Sequence, residues 1–290
     1  MRAGWRILAQ TILLLFFFTF FGAIFIGLSN FLPLGDLLTG SSMLGLLGEQ
    51  VVTLLAITLS VYLARRFFDR RSFISLGLGW NALALRDLLF GIGLAGLIMG
   101  LVYLAEWALG WLTFERYALE SGNISQVIVS MATMFVVFVI VAWEEELLTR
   151  GYWLQNLSTG LNLFWGVLLS SLFFALAHLG NPNASIMAVL GLIAGGIFLA
   201  YGYMRTYQLW LPIGLHIGWN FFEGTVLGFQ VSGLSGLPRL IIQTVEGPEI
   251  ITGGAFGPEA GLIILPALLL GAVIMKWYTS DRVSRIERGV

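Results

Sequence analysis

Long apolar runs separated by short polar clusters organise this chain. A helix needs roughly 20 apolar residues to cross ~30 Å of hydrocarbon. Eight runs approach that length: Leu8–Leu28, Met43–Leu63, Leu88–Leu109, Ile124–Trp143, Leu161–His178, Ser185–Met204, Leu209–Phe229 and Gly261–Trp277. The pattern predicts an all-α polytopic membrane protein with about eight transmembrane helices, a single integral membrane domain over residues 1–290. No soluble domain fits between the runs. The longest connection, from about Gln230 to Ala260, is rich in Gly and Pro and carries Glu246, Glu249 and Glu259. Neither an internal repeat nor a low-complexity tract is evident.

Composition agrees with that pattern. Hydrophobic residues make up 58% of the chain and charged residues 11%, whereas soluble domains carry about 25% charged residues. The mean hydropathy is +0.90. A net charge of -1 gives no footprint for nucleic acid. With no cysteine, the chain can hold no disulfide, thiolate nucleophile or cysteine-ligated metal. The 36 glycines suit close helix packing. The apolar stretch from Ile7 to about Leu28 outruns the ~7–15 residues of a signal-peptide core and lacks a small-residue cleavage site. It is expected to be a retained first span.

Basic residues orient the spans. With a cytoplasmic N-terminus, one side receives Arg2, Arg6, Arg65, Arg66, Arg70, Arg71, Arg86, Arg150, Arg205, Lys276, Arg282, Arg285 and Arg288. The other receives Arg116 and Arg239, a 13-to-2 split. The positive-inside rule then puts both termini in the cytoplasm. Arg65 to Arg71 reads as an ordinary topological anchor.

Against this apolar background, Glu144, Glu145, Glu146 and Arg150 crowd the end of the fourth run. A charge at the bilayer centre costs roughly 3 kcal/mol even on lenient scales, so these groups imply a use. Glu146 and Arg150 stand four apart, on one helical face. Glu145 lies about 100° round and can face a cavity. His178 and His216 are the chain's two histidines. Phe174 lies one turn before His178, and Asn220 one turn after His216. If the fourth and fifth runs form a hairpin turning near Ser158-Thr159-Gly160, Glu145 and His178 differ in depth by roughly 6 Å and can meet. That requires the hairpin to project past the membrane.

This residue set suits hydrolysis. A desolvated glutamate makes a better general base near neutral pH, and an imidazole beside it can orient water or carry a second proton. His216 and Asn220 can donate to a developing oxyanion. Two His and one Glu (Glu145, His178, His216) can alternatively hold a divalent metal such as zinc, with water in the fourth position. The residues leave open whether a cofactor is needed.

Glu145-Glu146-x-x-x-Arg150, Phe174-x-x-x-His178 and His216-x-x-x-Asn220 together resemble the three motifs of the CAAX prenyl protease and bacteriocin-processing family, also called Abi. Its members are intramembrane endopeptidases. The resemblance covers about Ile124 to Gly228, the expected catalytic core within 124–228. It implies Glu145 as the water-activating base, His178 as its partner, and His216 with Asn220 as the oxyanion group. Glu146, Arg150 and Phe174 would support them. The triplet departs from the family's usual pair, and Glu144 is left as an extra. The family is often labelled metalloprotease-like, but metal-free glutamate proteases are a second reading.

The expected protein is therefore an intramembrane endopeptidase acting on a membrane-tethered or lipidated, possibly prenylated, peptide. Its partners would be the lipid bilayer and that substrate, not nucleic acid. Its expected location is the plasma membrane of a prokaryote. The alternative is a non-catalytic membrane protein, of bacteriocin-immunity type or an ion or proton pathway, that uses the same buried charges. Glu223, near the face of His216 and Asn220, is a candidate partner for them. Gly191, Gly195 and Gly196 are expected at helix contacts.

Overall fold

The computed structural model describes residues 2–31 and 42–282. Arg285 and Arg288, counted in the charge split, lie outside the described residues. Each expected span is helical. α1 is Ala3–Phe31, α2 Met43–Leu63 and α3 Ala82–Ala108. α4 is Ile124–Glu146 and runs through a wider π-helical stretch, Leu147–Trp153, into α5, Leu154–Gly160. α6 is Leu163–Ala177, α7 Ile186–Thr206, and α8 Trp210–Asn220, which continues as π helix over Phe221–Val226. α9 is a single turn, Glu249–Thr252, and α10 is Ile264–Tyr278. Among the described residues, five helices are long and apolar enough to cross a membrane, while α6, α8 and α10 are shorter. Large apolar side chains along α1, including Ile12, Leu15 and Phe16, are exposed. This is an all-helical polytopic membrane protein.

Local sequence explains where these helices begin. Asn81, Asn162 and Ser185 sit in extended backbone just before α3, α6 and α7, and each side chain accepts from a backbone N–H three residues on. Those bonds satisfy amides the first helical turn leaves without a partner.

The fourth segment is longer than hydropathy indicates. Helix continues through Glu145 as far as Gly160, giving 37 residues from Ile124. At 1.5 Å per residue this is about 55 Å, well beyond the ~30 Å of a hydrocarbon core. The turn into α6 falls at Leu161–Asn162, just after the expected Ser158-Thr159-Gly160. Ser158 to Gly160 are still helical. Arg65 is also more than an anchor. It is buried, pairs with Asp69 at 2.9 Å, and bonds Ser75 Oγ.

α8 is the central helix. Nine of its eleven residues are buried, the all-round burial expected of a helix with no lipid face. Gly214 and Gly218 let it press on α3. A Cβ at Gly214 would lie 2.2 Å from Leu88 O, and one at Gly218 2.5 Å from Ile92 O. This small-xxx-small face brings the two backbones together. His216 falls about 200° from Gly214 and therefore points away from α3, with Asn220 beside it. The helix contact made by the two glycines thus sets the direction of both site residues.

Two short strands, absent from the sequence reading, lie between helices. β1, Leu112–Tyr117, pairs antiparallel with β2, Ile241–Val245, with an irregularity between Phe114 and Arg116. This pairing gives the Gly/Pro-rich connection before α10 a fixed structure.

Candidate active site

α4 delivers Glu144, Glu145 and Glu146 at its C-terminal end, where α-helix gives way to π-helix. α8 makes the same change directly after Asn220. A π turn inserts a residue into the helical register and is frequent at functional sites. Here both follow immediately on motif residues.

The neighbouring glutamates have separate environments. Glu146 is fully buried, and Arg150 Nη1 donates to its Oε1 at 2.8 Å. The same oxygen is 2.9 Å from His216 Nδ1. Arg150, also fully buried, donates through Nη2 to Gly196 O at 3.0 Å, and its guanidinium lies 4.7 Å from the Phe174 ring centre. It therefore belongs to the interior, although the charge count treated it as a boundary residue. Glu145 points into a cavity, its side chain 27% exposed, with Oε2 3.7 Å from His216 Nε2.

The histidines are oriented by their Nδ1 atoms. His178 ends α6, and its Nδ1 is 2.8 Å from Phe174 O. A carbonyl oxygen only accepts, so His178 Nδ1 carries the hydrogen and Nε2 is the ring nitrogen outside that bond. His216 directs Nδ1 at Glu146, leaving Nε2 toward Glu145. Phe174 lies beside both rings, 4.9 Å from His178 and 6.0 Å from His216 by centroids.

Glu145, His178, His216 and Asn220 all line one cavity of about 270 Å³. Glu144, buried and with Oε2 unpartnered, lines it as well. Leu46, Met134, Val137, Phe138, Leu234 and Leu237 supply an apolar side. The cavity thus offers a carboxylate and two imidazoles against a surface suited to an apolar chain. Among the described residues, no group of three His, Asp or Glu side chains could hold a metal ion. The residues do not fit the two-His, one-Glu centre considered from sequence.

Several residues at the site were not legible as such. Asn181, Ser232 and Glu259 also line the cavity. Glu259 was visible only as an acid in a loop, and nothing local tied it to the motifs. Glu223 is fully buried, yet neither carboxylate oxygen has a hydrogen-bond partner, so it does not support His216 in the way its spacing suggested. The three glycines of α7 serve different purposes. Gly191 lies against the Glu259 carbonyl, Gly196 against Ser171 of α6, and Gly195 faces open space.

A helical membrane protein with a buried glutamate–histidine–asparagine cavity is the class defined by this fold and site. Residues 127–222 match the family described as Type II CAAX prenyl endopeptidase Rce1-like, a protease family. The family resemblance carried by the three motifs is shown over that segment, which contains them all. A relative from Bacillus subtilis (strain 168), the uncharacterized protein YyaK, is 27% identical over 205 residues, covering 69% of this chain and 67% of its own. No solved structure matches the chain.

Proposed function

We propose that the protein is an intramembrane endopeptidase that hydrolyses a peptide bond of a membrane-tethered or lipidated peptide. The observation that carries this reading is the convergence of Glu145, His178, His216 and Asn220 on one cavity with an apolar side. The match to a prenyl endopeptidase family over the same segment supports it.

In this reading Glu145 takes a proton from water as the oxygen attacks the carbonyl carbon, which becomes tetrahedral. His178 Nε2, held by the bond from Nδ1 to Phe174 O, orients that water. Asn220 and a protonated His216 donate to the oxyanion, where each well-placed donor contributes on the order of 3 kcal/mol. As the intermediate collapses, the C–N bond breaks and the proton held by Glu145 passes to the leaving amine. Glu146 and Arg150 hold His216 in place and do not touch the substrate. No metal enters these steps, because the side chains do not gather into a three-donor set.

In this reading both termini and the site-bearing hairpin face the cytoplasm, an orientation that the positive-inside distribution supports, and the membrane is the plasma membrane of a prokaryote. The test is cleavage of a farnesylated peptide ending in a CAAX-type sequence by the purified protein in lipid nanodiscs. Intact Glu145 should be required, and a Glu145→Gln variant that cleaves normally would sink the assignment. An ion or proton pathway would instead show flux across sealed vesicles.

A further inference from the structure

The Gly/Pro-rich connection between α8 and α10 closes over one side of the cavity, and a buried carboxylate helps to fasten it there. Glu259 lies in the turn Pro258–Ala260, just before α10. Its Oε1 accepts from Trp219 Nε1 at 3.1 Å. Its Oε2 accepts from Ser232 N at 2.8 Å and from Ser232 Oγ at 2.7 Å. Trp219 immediately precedes Asn220 in α8. Ser232 in turn uses its carbonyl to accept from Asn181 Nδ2 at 2.9 Å, and Asn181 N donates to His178 O at 3.0 Å.

We infer that Glu259 is a positioning residue of the site: it ties the 228–261 connection to the helix that carries Asn220 and to the turn that follows His178. This inference rests on the protease reading above. Three donors converge on the two oxygens, two from Ser232, which lines the cavity, and one from Trp219, whose neighbour Asn220 lines it. Glu259 lines that cavity and also the narrow apolar cleft beside His216 and Asn220. A carboxylate satisfies all three donors, whereas an amide of the same shape would turn an N–H₂ toward at least one of them. Burial makes that mismatch costly. The backbone seat is equally specific. A Cβ at Gly191 of α7 would lie 1.7 Å from Glu259 O, so the turn can settle only against glycine.

The experiment compares wild type, Glu259→Gln, Trp219→Phe and Glu145→Gln as full chains in nanodiscs, with the farnesylated peptide as probe. Because the chain has two histidines, histidine-selective isotope labelling gives one ring signal set for each, read without any substrate. For Glu259→Gln, kcat should fall on the order of 100-fold, the scale of a 1 Å displacement of reacting groups. KM should stay within about twofold, since binding of the ground state is untouched. The His178 ring signals should shift. Trp219→Phe, which removes one donor, should show a smaller fall in kcat and keeps the test open if Glu259→Gln is not recovered folded.

Wild-type kcat and unmoved ring signals in both variants would overturn the inference, while loss of cleavage in Glu145→Gln would leave the protease reading standing. If instead Glu145→Gln cleaves normally, the protease reading falls. The ring signals then decide the positioning role alone: shifted rings retain it and unmoved rings overturn it.

Discussion

One oxygen of Glu146 serves two cations or potential cations: Oε1 lies 2.8 Å from Arg150 Nη1 and 2.9 Å from His216 Nδ1. The carboxylate thereby joins the first and third motifs, which are 70 residues apart for its bond to His216. Its neighbour Glu145 has no such duty and faces the cavity.

That division predicts opposite outcomes for adjacent substitutions. Glu146→Ala leaves Arg150 buried without its partner, which costs about 3–5 kcal/mol when one member of a buried pair is removed. The expected result is a large loss of folded protein, read by thermal unfolding in detergent. Glu145→Gln should unfold close to wild type but lose cleavage, because its side chain is partly open to the cavity.

Arg150→Lys should not rescue the site. An ammonium retains the charge but cannot bond Glu146 and Gly196 O in the planar fork while lying over Phe174. Thermal stability should fall by about 1–3 kcal/mol as buried acceptors lose their donor, and cleavage should fall with it.

Substitutions of glycine by alanine should separate by position. Gly214→Ala and Gly218→Ala would drive Cβ atoms into the α3 backbone. Overpacking of that kind costs about 1–3 kcal/mol, and the shift of α8 should lower kcat as His216 moves. Gly195→Ala meets nothing within 4 Å, so its unfolding temperature should match or exceed that of wild type. A marked loss of stability in Gly195→Ala would contradict the packing described for α7.

His178→Ala should lower kcat by about 10²–10⁴-fold, the contribution typical of a positioned acid–base group. The ring's one hydrogen bond is to a carbonyl of its own helix, so the unfolding temperature should change little.

Chelators should leave cleavage of the peptide unchanged, and elemental analysis of active protein should find no stoichiometric zinc. The argument comes from the donors: no group of three His, Asp or Glu side chains able to hold a metal ion forms among the described residues. Activity lost to chelator and restored by zinc would reverse it.

Hydropathy and spacing made much of this protein legible. Runs of apolar residues must be helices in lipid, because every backbone N–H and C=O there needs an internal partner. The i, i+4 spacing of Glu146 with Arg150 predicted the ion pair that forms. The same period separated Glu145 from Glu146, and the structure gives those two side chains different surroundings.

Other features depend on contacts between distant segments and so left no local trace. Hydropathy ended the fourth span at Trp143, whereas helix continues to Gly160 because buried partners replace lipid around Glu146 and Arg150. Gly214 and Gly218 read as ordinary glycines until α3 is laid against them. Glu259 looked like any loop acid until β1–β2 pairing and the seat at Gly191 brought it beneath Trp219. Sequence by itself determined which runs are helical, the motif residues and the helical faces on which they sit, since helical period and the cost of polar groups in lipid are local. Tertiary structure alone decided which face meets which, because that choice lies in packing and in the donors each buried carboxylate finds.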